Sequence, residues 1–204
     1  MPSFTEDWFS GHIPHWERFF LSCLRWEPEA RRSVVEIGSF EGRSTLWMLE
    51  NLLRHPESRL FCIDTFEGSA EHAESQTDGL FERFRANLAE SGQARKVEIL
   101  RGDSASGLLR LITRGGIAPE LIYIDGSHEA PDVLTDLVLA FRLAPRGGVV
   151  LCDDYLWTRE GPGEVDILNC PKLAIDAFTN IHRRKIEMLT GPHPSQIAFR
   201  KLPA

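Results

Sequence analysis

Val34-Val35-Glu36-Ile37-Gly38-Ser39-Phe40-Glu41-Gly42-Arg43-Ser44 is the stretch on which the reading of this chain turns. Two β-branched residues lead into an acid and a glycine, a second glycine follows at position 42, and Thr45 to about Leu53 then repeats apolar residues at helical spacing. The pattern is strand, tight turn, helix. Glycine accepts positive φ and lets other backbone or a ligand come close, so Gly38 and Gly42 mark the turn as a candidate cofactor cradle, with Ser39 and Ser44 beside them.

The dinucleotide fingerprint G-x-G-x-x-G would need a glycine at position 40, and the chain has Phe40 there, which disfavours a pyrophosphate ligand. Glu36 points the same way, because a carboxylate near the strand end suits a cation better than a polyanion. S-adenosylmethionine (SAM), which carries a sulfonium and an ammonium and no phosphate, is the expected ligand.

The chain of 204 residues is long enough for one domain, 1–204, built on a sheet covered on both faces, with a helical extension over about residues 1–30. Thirty acids against 23 Lys and Arg give a net charge of -7, and no basic block appears, so no nucleic-acid partner is expected. Cys23, Cys62, Cys152 and Cys170 have no C-x-x-C spacing and read as buried thiols of a reducing compartment. No run is long and apolar enough for a membrane span, and the polar, acidic start MPSFTEDWFS is unlike a signal peptide; a cytoplasmic protein is expected.

From the amino terminus, Ile13 to Trp26 carries Trp16, Phe19, Phe20, Leu21 and Leu24 at mixed helical spacing, a helix that packs on the domain or on a second copy in a homo-oligomer. After the quoted stretch come a strand at Leu60–Asp64 and a polar segment from Thr65 to Gly79, read as a cover over a cofactor and substrate, with His72 as an ordinary surface histidine. A helix over Leu80–Leu88 and a strand over Val97–Leu100 follow. Asp103 and Ser104 come next, Ser104 capping the next helix or lining an adenine pocket. The strand ELIYID ends on Asp125, and GVVLC leads to Asp153 and Asp154. A helix over Pro171–Ile181 and two strands, Arg184–Leu189 and Gln196–Arg200, complete the pattern. Strands alternating with helices imply an open, mostly parallel α/β sheet with its crevice at the strand ends, where Asp64 would meet ribose hydroxyls.

Asp125, Asp153 and Asp154 should fall at neighbouring strand ends, where three carboxylates repel unless a hard divalent cation joins them; Mg²⁺ (or Mn²⁺) is expected. His128, three residues past Asp125, is placed to take a hydroxyl proton as a general base.

Taken together, VEIGSFEGRS, FCIDTFEG, RGDS, IDGSH and APRGGVVLCDDY resemble the ordered motifs of the class I SAM-dependent methyltransferases, and within them the metal-dependent O-methyltransferases of macrolide sugars and catechols. The resemblance covers about Val34 to Tyr155. It implies a Rossmann-like seven-stranded sheet with the last strand inserted antiparallel, Glu36, Gly38, Ser39, Asp64, Asp103 and Ser104 around SAM, and Asp125, Asp153 and Asp154 on the metal. Catechol-type enzymes have Asp-Asn where this chain has Asp153-Asp154. Methyl transfer to a hydroxyl of a small molecule, in the manner of natural-product biosynthesis, is the expected activity. A nicotinamide oxidoreductase and a non-catalytic SAM-binding module are the competing readings.

Overall fold

The computed structural model of the protein describes residues 1–69, 72–160, 163–190 and 192–203. Its centre is β1 (Ser33–Ile37), four of whose five residues are buried. A near-continuous apolar run of this kind belongs in the interior of a parallel sheet, where both faces are covered. β1 pairs in parallel with β2 (Arg59–Asp64) on one side and with β4 (Leu121–Ile124) on the other. β3 (Val97–Arg101) extends the sheet beyond β2, and β5 (Val149–Cys152) extends it beyond β4. β6 (Ile186–Leu189) and β7 (Ile197–Lys201) form an antiparallel hairpin, and β7 lies antiparallel against β5. The order is therefore β3-β2-β1-β4-β5-β7-β6, seven strands with one reversed, as the resemblance implies.

Side chains alternate along each strand and so feed two separate cores. Val34, Cys62, Tyr123, Leu151 and Ala198 face one layer, made by the amino-terminal helical segment, α2 (Arg43–Asn51) and α4 (Leu80–Glu90). Val35, Ile63, Ile122, Val150 and Phe199 face the other, made by α5 (Ser104–Arg114), α6 (Ala130–Leu143) and α7 (Pro171–His182). The amino-terminal segment includes the short helix α1 (Ile13–Glu17), whose Trp16 is in the first core, and the short helix α3 (Glu74–Thr77) lies within the segment expected to form the cover.

The amino-terminal helix departs from the expected Ile13–Trp26 span. A 3-10 turn, Ser10–His12, leads into α1, and Arg18–Cys23 is wound as a π-helix. Trp16, Phe19 and Phe20 are fully buried in the first core, whereas Leu21 stays 44% exposed. Docking on the domain accounts for the aromatic side chains. Cys23, expected to be buried, is exposed because it ends the π-helical segment on the solvent side; Cys62, Cys152 and Cys170 are buried, and all four are free thiols. Among the described residues no helix is long and apolar enough to cross a membrane.

Candidate functional site

The chain leaves β1 in one direction, to β2 and β3, and later returns to build β4 and β5 on the other side; the crevice of such a sheet opens where the direction changes. Strand register brings the ends into a row. Ile37 stands beside Ile63 and Ile124, and Ile124 beside Cys152, so Gly38, Asp64, Asp125 and Asp153 emerge side by side. Backbone bonds from Gly38 to Ile63, Asp125 to Ile37 and Asp153 to Ile124 continue the ladder one step past the strands. A cavity of about 980 Å³ opens over this row, at the top of the range of about 300–1,000 Å³ typical of small-molecule sites.

Gly38, Ser39, Ser44, Asp64, Asp103, Ser104, Asp125, His128, Asp153 and Asp154 all line it. Glu36 and Gly42 do not. Glu36 is fully buried beneath the turn, where it accepts from Ser39 Oγ at 2.9 Å, Ser44 Oγ at 2.5 Å, Thr45 Oγ1 at 2.5 Å and Cys62 Sγ at 3.4 Å. Burial raises its carboxyl pKa, and the hydroxyls of Ser44, Thr45 and Ser39 oppose that shift. The side chain therefore holds the turn from below. Gly42 caps α2 in the left-handed region at φ 88°, and a Cβ there would come within 3.1 Å of the Phe84 ring.

Asp64 also shapes the turn. Its Oδ2 accepts from the amides of Ser39 (2.6 Å) and Phe40 (2.9 Å), and its Oδ1 from the amide of Phe66 (2.7 Å). Phe40 needs this support, since it is held at φ 46°, costly for a residue with a side chain. Asp103, rather than Ser104, caps α5 through the Ser106 amide at 2.8 Å, and Ser104 is the first helical residue.

Across the row, Asp125, His128 and Asp154 converge: one ligand atom of each lies within 4.8 Å of the others. His128 Nε2 is 3.0 Å from Asp154 Oδ2, and the imidazole packs on Trp157 with ring centroids 4.3 Å apart. Asp154 adopts φ 51°, so it leaves strand geometry, and consecutive carboxylates need not point to opposite faces. Asp153 turns the other way. Its Oδ2 accepts from Tyr123 Oη at 2.5 Å and Gln196 Nε2 at 2.7 Å, and its Oδ1 accepts from the Asp154 amide at 2.8 Å. Tyr123 Oη also lies 2.8 Å from Asp125 Oδ2. Burial first, and then the neighbouring Asp153 and Asp154, push the Asp125 carboxyl well above its ordinary range; burial and Asp154 raise Asp153. The Asp125 and Asp154 carboxylates, brought together under mutual repulsion, are donors that a divalent cation fits, with His128 hydrogen-bonded at their edge.

The cavity has two further walls, of which sequence reasoning anticipated the segment after β2 and missed the amino-terminal one. The amino-terminal segment contributes Trp8, Phe9 and His12, and the segment after β2 contributes Thr65, Gly68, Ser69, His72 and Gln76. His72, expected to be an ordinary surface residue, stacks on Phe40 at 5.3 Å and meets Trp8 at 5.3 Å. Ala70 and Glu71 of the expected cover fall outside the described residues. Tyr123 and Gln196 carry no motif, and only pairing across the sheet brings them to Asp153.

A family profile described as a methyltransferase domain matches residues 35–155. The catechol O-methyltransferase of Mycobacterium tuberculosis is 31% identical over 175 residues, which cover 86% of this chain and 66% of that protein, so the chain spans just under two thirds of the relative's length. Among solved structures, the O-methyltransferase TomG from Streptomyces achromogenes superimposes with a TM-score of 0.67 at 20% identity, over 100% of this chain and 84% of that one. An O-methyltransferase from Bacillus cereus does so with a TM-score of 0.65 at 18% identity, over 98% and 84%. At those identities the two structures establish a common fold. With the profile covering more than half of its length, the chain belongs to the methyltransferase domain family, on the class I sheet.

Proposed function

We propose that the protein transfers a methyl group from SAM to a hydroxyl of a small molecule, assisted by a divalent cation, Mg²⁺ or Mn²⁺. The observation that carries the reading is that the glycine turn and the convergent acids share one cavity, held edge to edge by the β1–β4 pairing. The TomG structure was solved with SAM and the Bacillus cereus structure with S-adenosylhomocysteine, and the Mycobacterium tuberculosis relative is named for a catechol. Arg43 is the only lysine or arginine among the described lining residues, and its guanidinium is already hydrogen-bonded to Ser10. Among the described lining residues a pyrophosphate would meet one cation, Arg43, against a row of acids, which counts against a nicotinamide cofactor.

Gly38, Ser39, Asp64, Asp103 and Ser104 would hold SAM, with Glu36 and Gly42 shaping the turn and Ser44 at its edge. Asp125 and Asp154, with Asp153 behind them, would hold the cation, which when bound lowers the pKa of a hydroxyl and steadies the oxyanion. His128, held beside Asp154 and with Trp157 fixing the plane of its ring, would take the hydroxyl proton. Trp8, Phe9 and Trp157 exclude water from the acceptor side. Four free thiols suit a reducing cytoplasm.

The test is calorimetric titration with SAM, followed by turnover of catechol read as S-adenosylhomocysteine release with and without EDTA. SAM binding with EDTA-sensitive turnover is expected. No SAM binding removes the reading, and turnover indifferent to EDTA removes the cation from it. Binding without turnover of any hydroxylated acceptor would favour the non-catalytic module.

A further inference from the structure

Gln196 sits just before β7 and is only 4% exposed, so each hydrogen-bonding group of its amide needs a partner. The partners fix its orientation. Oε1 accepts from Trp16 Nε1 at 2.9 Å, and an indole N–H can only donate. Nε2 is therefore the end that faces Asp153 Oδ2 and His12 Nδ1, each at 2.7 Å. One amide thus joins the amino-terminal helix, through Trp16 and His12, to the aspartate behind the cation site.

The chain of contacts continues. Asp153 Oδ2 is held between Gln196 and Tyr123, which leaves its Oδ1 to accept the Asp154 amide at 2.8 Å. That bond stabilises the left-handed conformation of Asp154, φ 51°, and with it the direction in which the Asp154 carboxylate meets His128 and Asp125. The Tyr155 amide, bonded to the Ser195 carbonyl at 2.8 Å, fastens the same turn to the residue preceding Gln196. Trp16 is fully buried among Phe9, Phe20, Trp47 and Tyr123, so the far end of the strut is rigid.

We propose that Gln196 is a positioning residue for the cation site, a strut between the amino-terminal helix and the Asp153–Asp154 turn. It touches neither cofactor nor acceptor and acts through Asp153. The inference rests on the cation reading above. Partners behind metal ligands orient them, and their loss commonly costs about 10–100-fold in metal affinity.

The test is Mn²⁺ binding, followed by the electron paramagnetic resonance of free Mn²⁺, in the intact protein and in two variants. Gln196→Met keeps the volume and removes every hydrogen bond; Trp16→Phe keeps most of the packing and removes the donor that orients the amide. Gln196→Met should weaken Mn²⁺ about 10–100-fold, and Trp16→Phe a few-fold in the same direction, with SAM affinity within twofold of the parent in both. A loss confined to Mn²⁺ is not what general destabilisation produces. Mn²⁺ affinity at the parental value in both variants, or SAM affinity falling in parallel with it, overturns the inference. A parent protein that binds no Mn²⁺ overturns the cation reading and this inference with it.

Discussion

Gly38 lies so close beneath Asp125 that a Cβ on Gly38 would sit 1.9 Å from the Asp125 carbonyl oxygen. The cofactor turn and the acid-bearing strand end therefore touch backbone to backbone. Gly38 also has φ 80°, where a side chain is strained whatever space surrounds it. Gly38→Ala should push β4's end away from the turn, abolish SAM binding by calorimetry and lower the melting temperature. An alanine variant that binds SAM normally would show that the contact can relax.

For His128 as the proposed general base, His128→Asn should lower kcat by about 10²–10⁴-fold while leaving SAM affinity unchanged, since general-base assistance has that size. Asp125→Asn should lower both kcat and Mn²⁺ affinity. Parallel steady-state kinetics and Mn²⁺ titrations separate the two residues: Mn²⁺ affinity should fall in the Asp125 variant and stay within twofold of the parent in the His128 variant.

Asp136 on α6 is 1% exposed, its Oδ1 has no hydrogen-bond partner among the described residues, and burial first, then Asp132 and Asp103, push its pKa up to about 7 despite a bond with Ser104. The folded state thus keeps a proton that the unfolded chain loses above its ordinary value of 3.8. Between those two values each unit of rising pH removes stability, and above about 7 the full penalty stands, on the order of 4 kcal/mol. Asp136→Asn should therefore raise the melting temperature at pH 8.5 and change it much less at pH 4.5. Equal shifts at both values would remove Asp136 as the source.

Glu41, 1% exposed, accepts from the Thr5 amide and hydroxyl at 2.7 Å each and from Arg83 Nε at 2.6 Å. Burial opposes ionisation, but these bonds hold its pKa below the usual value. Glu41→Ala should release the segment that carries Trp8 and His12, cost about 2 kcal/mol and expose residues 1–12 to limited proteolysis. Unchanged protease resistance would mean that the other bonds to the segment, chiefly those of Asn87 with Ser3, hold it without Glu41.

Much of this was legible in the sequence because it is local. β-branched runs, glycine turns and helical periods identify the parallel strands and their order of appearance, and a strand's end is where its acid emerges, so Asp64, Asp125 and Asp153 are placed by pattern alone. The direction of a side chain is not local. Glu36 reads as a residue facing a cation and instead points into three hydroxyls and a thiol, because alternation along β1 turns it to the interior while α2 brings Ser44 and Thr45 above it. Asp153 reads as the twin of Asp154, yet Tyr123 on β4 and Gln196 just before β7 claim it. His72 gains its aromatic neighbours from segments far from it in sequence. The π winding of Arg18–Cys23 has no signature in the spacing of Phe19 and Phe20.

Trp16 and Gln196, bonded to each other, are 180 residues apart. During synthesis the glycine turn and the first strands emerge before Gln196, so the aspartate pair stays without its brace until the β6–β7 hairpin has left the ribosome. Contacts of such span form late and slowly. A nascent chain would thus acquire a place for a nucleoside before the cage proposed for a cation is finished, and the latter would arrive only with the β6–β7 hairpin.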